Sequence, residues 1–121
     1  MQGNLGLVKD VDDFLKLHLD KTIVAVQGLG FVGAVMSIVV ANSDLNEFAV
    51  IGVDLPSRQQ IINELNAGVF PIESSDEKVF EYFEEARKRN TFYATSDSSI
   101  YSKADIVIVD INLDVVKESD E

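Results

Sequence analysis

The sequence predicts an α/β fold: a doubly wound parallel sheet in a single domain with a leading N-terminal helix. Three observations predict it. From Thr22 onward, short β-branched runs alternate with longer segments of helical spacing, the pattern of a parallel sheet with helices on both faces. The run Thr22 to Val26 feeds into Gly28, Gly30 and Gly33, spaced G-x-G-x-x-G, and then into an apolar, small-residue stretch ending at Ala41. A second apolar run, Phe48 to Val53, ends on Asp54. Strand, glycine turn, helix, strand and terminal acid, in that order, describe the first βαβ unit of a Rossmann-like domain.

The elements follow in order. Val8, Val11, Phe14, Leu15 and Leu19 have helical spacing, so Leu7 to Leu19 reads as a helix packed on the edge or bottom of the sheet. His18 lies in it and reads as structural, since nothing nearby could orient it for catalysis. Asn42-Ser43-Asp44 ends the helix after the glycine turn. Phe48 to Asp54 is continuously apolar before its acid, as a parallel strand covered on both faces should be. Ser57 is a candidate N-cap for a helix to Ala67, with Ile61, Ile62 and Leu65 inward and Gly68 as terminator. Ser74 or Ser75 could cap a helix from Asp76 to Arg89 with Val79, Phe80, Phe83 and Ala86 as its buried stripe. Acids open that helix and Arg87, Lys88 and Arg89 close it, which complements its dipole. Glu81, Glu84 and Glu85 read as its solvated face. Thr91 to Thr95 is a third strand, Ser98 to Lys103 a small helix capped by Ser96 or Asp97, and Ile106 to Val109 a fourth strand. Right-handed crossovers then give the strand order 3-2-1-4, with the ligand crevice at the switch point between strands 1 and 4. By extent, 1–20 is the leading helix, 21–111 the nucleotide-binding domain and 112–121 an acidic, flexible tail.

The glycines have separable roles. Gly28 permits the sharp turn off the strand, Gly30 lets a pyrophosphate approach the backbone, and Gly33 lets the helix lie close to the strand. The free N–H groups of the helix's first turn, with its dipole, favour phosphate there. Asp54 lies 21 residues beyond Gly33, close to the roughly 20 expected of a ribose-binding acid. Its carboxylate would accept from the ribose hydroxyls and repel a 2′-phosphate, so the expected cofactor is NAD rather than NADP. Arg58 could reach the ribose or the adenine face, or be a solvated helix residue; both readings stay open.

Composition narrows the partners. Ten Lys plus Arg against 21 Asp plus Glu give a net charge of −11. That argues against nucleic acid and anionic membranes, which need basic residues to neutralise phosphate. It also means a dinucleotide must be held by local backbone dipoles against the overall field. Cysteine is absent, which removes disulfides, zinc–thiolate sites and a thiol nucleophile from these residues and fits a cytoplasmic protein. The N-terminus has no basic segment followed by a long apolar one, so it does not read as a signal peptide. The longest apolar run, Phe31 to Ala41, is too short for a bilayer core of about 30 Å. No metal site is expected, and a homo-oligomer stays open.

Several pieces occur together in a known order: GLGFVG, VIGVDL, LNAGVFPI, YATSD and ADIVIVDI. Over roughly Lys21 to Ile111 they resemble the amino-terminal domain of the UDP-glucose/GDP-mannose dehydrogenases. That family's pieces are GLGYVG, a strand ending in Asp, IN-x-G-x-x-P-I, AT-x-D and AD plus an apolar strand. The resemblance implies an NAD-dependent enzyme of polysaccharide biosynthesis that oxidises the C6 hydroxymethyl of a nucleotide sugar to a carboxylate, using two NAD molecules. It also implies that Gly28, Gly30, Phe31, Val32 and Gly33 hold the pyrophosphate and Asp54 the ribose. Phe31 stands where the family usually has Tyr, so a backbone role survives and a hydroxyl contact does not.

Three departures matter. The segment from Asp54 to Asn66 is about two residues longer than the family's commonest form, so Arg58 need not match its basic residue. The V-x-T-P turn after the fourth strand is replaced by Ile111-Asn112-Leu113-Asp114, and Asp114 would add unfavourable charge if it faced a phosphate. The family's catalytic cysteine, with its lysine, Asn and Asp, lies far downstream of anything here. A chain without cysteine cannot form the thioester of that mechanism, so this chain alone is expected to be inactive: the cofactor domain of a longer enzyme, or a short nucleotide-binding protein. A stand-alone NAD(H)-sensing module is the alternative. Such modules carry Gly-Asp-Ala after the third strand, where this chain has Ala94-Thr95-Ser96-Asp97. A methyltransferase ranks last, since its turn more often reads G-x-G-x-G. The sugar nucleotide itself is not legible, because the substrate pocket is not in these residues.

Overall fold

The computed structural model describes residues 8–71 and 76–110. Its order is α1 (Val11–Leu17), β1 (Thr22–Gln27), α2 (Phe31–Ala41), β2 (Phe48–Val53), a 3₁₀ turn (Pro56–Arg58), α3 (Gln59–Ala67), α4 (Glu77–Arg89), β3 (Phe92–Thr95), a second 3₁₀ segment (Ser98–Lys103) and β4 (Ile106–Val109). The four strands form one parallel sheet in the order β3-β2-β1-β4. This is the expected Rossmann-like topology, with the direction of travel reversing at β1.

Each face of the sheet has its own core. On one, Val24, Val26 and Val50 pack against Ile38 of α2, Ile62 and Leu65 of α3, and Phe83 and Ala86 of α4. On the other, Ile23, Ala25, Ala49 and Ile51 pack against Val11 and Phe14 of α1 and Ile100 of the second 3₁₀ segment. Alternation along β1 sends odd and even residues to opposite faces, and both sets are apolar because both faces are covered.

Several motif residues act as backbone fasteners. Asn66 clasps β3, its amide donating to Ala94 O at 2.7 Å and accepting from Ala94 N–H at 2.9 Å. A side-chain amide thus stands in for a neighbouring strand at the sheet's outer edge. Asp105 does the same at the foot of β1, its carboxylate accepting from Ile23 N–H at 2.8 Å while its own N–H donates to Ile23 O. Asp97 caps the second 3₁₀ segment through Ser99 N–H, and Gly68 ends α3 in the left-handed region at φ 94°. His18 is buried and structural, as expected: its Nε2 lies 2.6 Å from Asn90 O, so Nε2 carries the proton that donates.

Some expectations need correction. α1 runs only from Val11 to Leu17, because Asp10 caps it through Asp13 N–H and His18 closes it; Leu19 lies beyond the end and is exposed. Ser57 is not a cap. Pro56 opens a 3₁₀ turn instead, for which its fixed φ is suited, and α3 starts after Arg58. Asp76, not a helical residue, is the N-cap of α4; Ser74 and Ser75 lie outside the described residues. Phe80 is part-exposed and meets Phe70 edge-on at 5.9 Å rather than joining the buried stripe. The small helix expected over Ser98 to Lys103 is present with those bounds and is of the 3₁₀ type. The tail assigned to 112–121, including Asp114, and residue 111 before it lie outside the described residues. β4 is one of the two edge strands among the described residues, and its Ile106, Val107 and Val109 are each exposed despite their apolar character.

Candidate functional site

β1 ends at Gln27, and Gly28 makes the turn with φ 103°, a conformation that costs glycine little. A Cβ on Gly28 would lie 2.1 Å from Asp110 O, so the turn is packed directly against the end of β4. Leu29 then points into the core and is fully buried, filling the space that Gly52 leaves open on β2. Gly30 is the N-cap position of α2, with no side chain bonded to the helix's free N–H groups and no acid in the first turn. A Cβ on Gly30 would meet nothing within 4 Å. One on Gly33 would lie 2.0 Å from Gly28 O. Gly33 is therefore behind the turn, letting α2 close onto it, while Gly30 faces open space.

Asp54, just past β2, sits beside that turn. Its Oδ2 accepts from Leu29 N–H at 2.9 Å and its Oδ1 from Leu55 N–H at 2.7 Å. The carboxylate thus ties the glycine turn of β1 to the end of β2. Arg58 Nε approaches Oδ2 at 3.2 Å. That is ion-pair range, but the N–H is off hydrogen-bond alignment, and Nε is buried without an aligned acceptor. The 3₁₀ turn opened by Pro56 is what brings Arg58 back over Asp54.

Gly28, Leu29, Gly30, Phe31, Val32, Asp54, Arg58 and Asp110 line one cleft of about 320 Å³. The sequence-derived candidates therefore come together, except Gly33, which lies beneath the cleft floor. Phe31 and Val32 are 46% and 56% exposed at its rim. A second cleft of about 330 Å³ shares Gly28 and Asp54 and adds Gln27, Val53, Leu55, Pro56, Ser96, Ser98 and Tyr101. Burial, then the Asp54 charge, raises the Tyr101 hydroxyl's pKa above its ordinary value. The two clefts meet at Asp54, at the carboxyl ends of the strands where ligands of open α/β sheets bind. A larger groove of about 450 Å³ runs past β3, between α3 and the end of α4. It lacks a glycine turn and a free helix N-terminus, and its Asn66 is committed to β3.

Sequence reasoning missed two residues of this site. Leu29 contributes its N–H to Asp54, which residue type could not signal. Asp110 ends β4 as Asp54 follows β2, and that parallel was visible: an acid after an apolar strand, next to β1 in the expected order.

The residues fit a dinucleotide diphosphate, since the cradle has room at Gly30 and the first-turn N–H groups of α2 carry no side-chain cap. Residues 22–119 match the family model for the UDP-glucose/GDP-mannose dehydrogenase family, NAD binding domain. The chain belongs to that family. This dehydrogenase-family domain is similar to three solved enzymes. An NDP-N-acetyl-D-galactosaminuronic acid dehydrogenase from Methanosarcina mazei is 25% identical with a TM-score of 0.68, over 84% of this chain and 22% of that one. A GDP-mannose dehydrogenase from Pseudomonas aeruginosa is 24% identical with a TM-score of 0.64, over 78% and 20%. A UDP-D-ManNAc dehydrogenase from Pyrococcus horikoshii is 23% identical with a TM-score of 0.63, over 74% and 20%. The chain thus spans about a fifth of the length of these relatives, and the last two show the fold alone. Comparison with curated proteins gave no match. Among the described residues, no helix is long and apolar enough to cross a membrane, and no cluster of three potential metal ligands occurs.

Proposed function

We propose that this domain holds NAD for a nucleotide-sugar 6-dehydrogenase, an enzyme that oxidises a UDP- or GDP-sugar to the uronic acid. Substrate pocket and nucleophile would be supplied by parts of the enzyme other than these 121 residues, which contain no cysteine. The observation that carries the reading is the open glycine cradle with Asp54 at its rim, in a chain of this family. Bound NAD would supply the hydride acceptor; this chain's residues bind and orient it.

The geometry supports a role for each residue. Gly30, Phe31 and Val32 would present backbone N–H groups to the diphosphate at the start of α2. Gly28 and Gly33 would shape the turn rather than touch the ligand. Asp54 already holds Leu29 and Leu55 N–H, and a carboxylate has roughly four acceptor sites, so capacity remains for ribose hydroxyls. Arg58 would position that carboxylate and flank the adenosine. The same negative charge would disfavour a 2′-phosphate, so NAD is favoured over NADP.

Calorimetric titration of the chain with NAD and NADP tests this, with Asp54→Ala alongside. NAD should bind the parent more tightly than NADP. The substitution should weaken NAD at least tenfold, equivalent to about 1.4 kcal/mol, and erase the preference. Unchanged NAD affinity in Asp54→Ala would remove the ribose assignment.

A further inference from the structure

We infer that Asp110 is an affinity-limiting residue of the cofactor cleft: its carboxylate opposes the dinucleotide's diphosphate and so keeps binding weak. The inference rests on the reading of the glycine cradle as the diphosphate seat.

Asp110 is fixed in place from two sides. Its N–H donates to Gln27 O at 2.8 Å, continuing the β1–β4 ladder by one residue. Its carbonyl is packed against Gly28 so closely that a Cβ there would be 2.1 Å away. The backbone of Asp110 is therefore held at the end of the sheet, beside the glycine turn. The residue lines the same cleft as Gly30, Phe31 and Val32, and its Oδ2 is 3.0 Å from the position of a Cβ on Gly33. That puts the carboxylate against the first turn of α2, where the backbone favours an anion. Among the described residues, neither an ion pair nor a hydrogen bond neutralises it. The cleft's basic side chain, Arg58, is turned to Asp54. Two acids and one base therefore line a seat for a ligand with two negative charges, in a chain of net charge −11.

Like charges a few ångströms apart in a part-exposed cleft alter an equilibrium by about tenfold. Such repulsion is screened by salt, because the Debye length falls from about 10 Å at 0.1 M to about 3 Å at 1 M. A steric or folding role has no such salt signature. Ligand charge supplies a second discriminator: adenosine lacks phosphate, whereas ADP-ribose keeps the diphosphate without the nicotinamide.

The experiment is calorimetric titration of the full chain and of Asp110→Asn and Asp110→Ala with NAD, ADP-ribose and adenosine, at low and high salt. Thermal unfolding of each protein accompanies it, and Gly30→Ala serves as a cradle control. The expected result is about tenfold tighter NAD and ADP-ribose in both Asp110 variants at low salt, a smaller gain at high salt, and unchanged adenosine. Equal or weaker NAD binding in Asp110→Asn overturns the inference, as does a gain shared by adenosine or indifferent to salt. NAD binding that Gly30→Ala abolishes but Asp110→Asn leaves alone overturns only the role of Asp110. NAD binding indifferent to both overturns the diphosphate seat itself.

Discussion

Gly30 and Gly33 lie three residues apart in one motif, yet a methyl group added to each should have opposite consequences. At Gly33 the new Cβ would lie 2.0 Å from the carbonyl oxygen of Gly28. That atom is backbone, held at the end of β1, so relief requires α2 to move off the sheet. Overpacking of this kind costs about 1–3 kcal/mol. With an unfolding entropy of about 2.1 cal/mol/K per residue, a chain of this length should lose about 4–12 °C in Tm. At Gly30 the Cβ would meet nothing within 4 Å, and φ −71° suits alanine. The loss of a favourable N-cap and the gain from a stiffer unfolded chain are each within about 1 kcal/mol and oppose one another. Gly30→Ala should therefore melt within a few degrees of the parent. On the proposed reading, however, its methyl group would lie in the path of the diphosphate and break one or two charge-assisted hydrogen bonds worth about 1.5–3 kcal/mol each. NAD affinity should fall about tenfold to a hundredfold or more. Differential scanning calorimetry and NAD titration on the two variants separate the effects. A Gly30→Ala protein that binds NAD as the parent does would refute the cradle, and a Gly33→Ala protein with unchanged Tm would refute the packing.

Two further outcomes follow from structural fasteners. Asn66→Ala strips both partners from Ala94 and should destabilise the chain by about 2–4 kcal/mol, since the strand is left with unpaired part-buried groups; a urea midpoint equal to the parent's would contradict the clasp. Burial, more than the opposing hydrogen bond to Asn90, lowers the pKa of His18 below 6.5. The folded state thus holds fewer protons than the unfolded one between those two values, so the contribution of neutral His18 is complete above pH 6.5 and is lost as pH falls through the lowered folded pKa. Urea unfolding of the parent and of His18→Gln from pH 7.5 to 5 should show the parent losing ground on acidification, and a constant gap would contradict it.

Much of the fold was legible because its signals are local. The glycine spacing, the acid 21 residues on and the alternation of apolar runs each constrain a neighbouring stretch, and crossover handedness converts them into the strand order 3-2-1-4. What escaped prediction depends on distant partners. Asp110 matters because β4 lies beside β1, which brings it against Gly28 some eighty residues earlier. Periodicity cannot distinguish a covered strand from an apolar edge, and the expected order put Ile106 to Val109 at an end of the sheet, where Ile106, Val107 and Val109 stand exposed. Phe80 matched the helical stripe but sits at its margin, against Phe70 rather than the sheet. Near Arg58, proline geometry outweighed the capping preference of Ser57, and the resulting 3₁₀ turn is what delivers the guanidinium to Asp54.

The two margins of the sheet are not equivalent. Asn66 occupies the outer edge of β3 at Ala94, whereas among the described residues β4 has exposed apolar side chains and no such fastener on its outer edge. A strand added at that margin would lie alongside Ile106 to Val109. It would stand next to Asp110, which lines the cleft proposed for the dinucleotide, so completing the sheet there would couple assembly to ligand occupancy through a single residue.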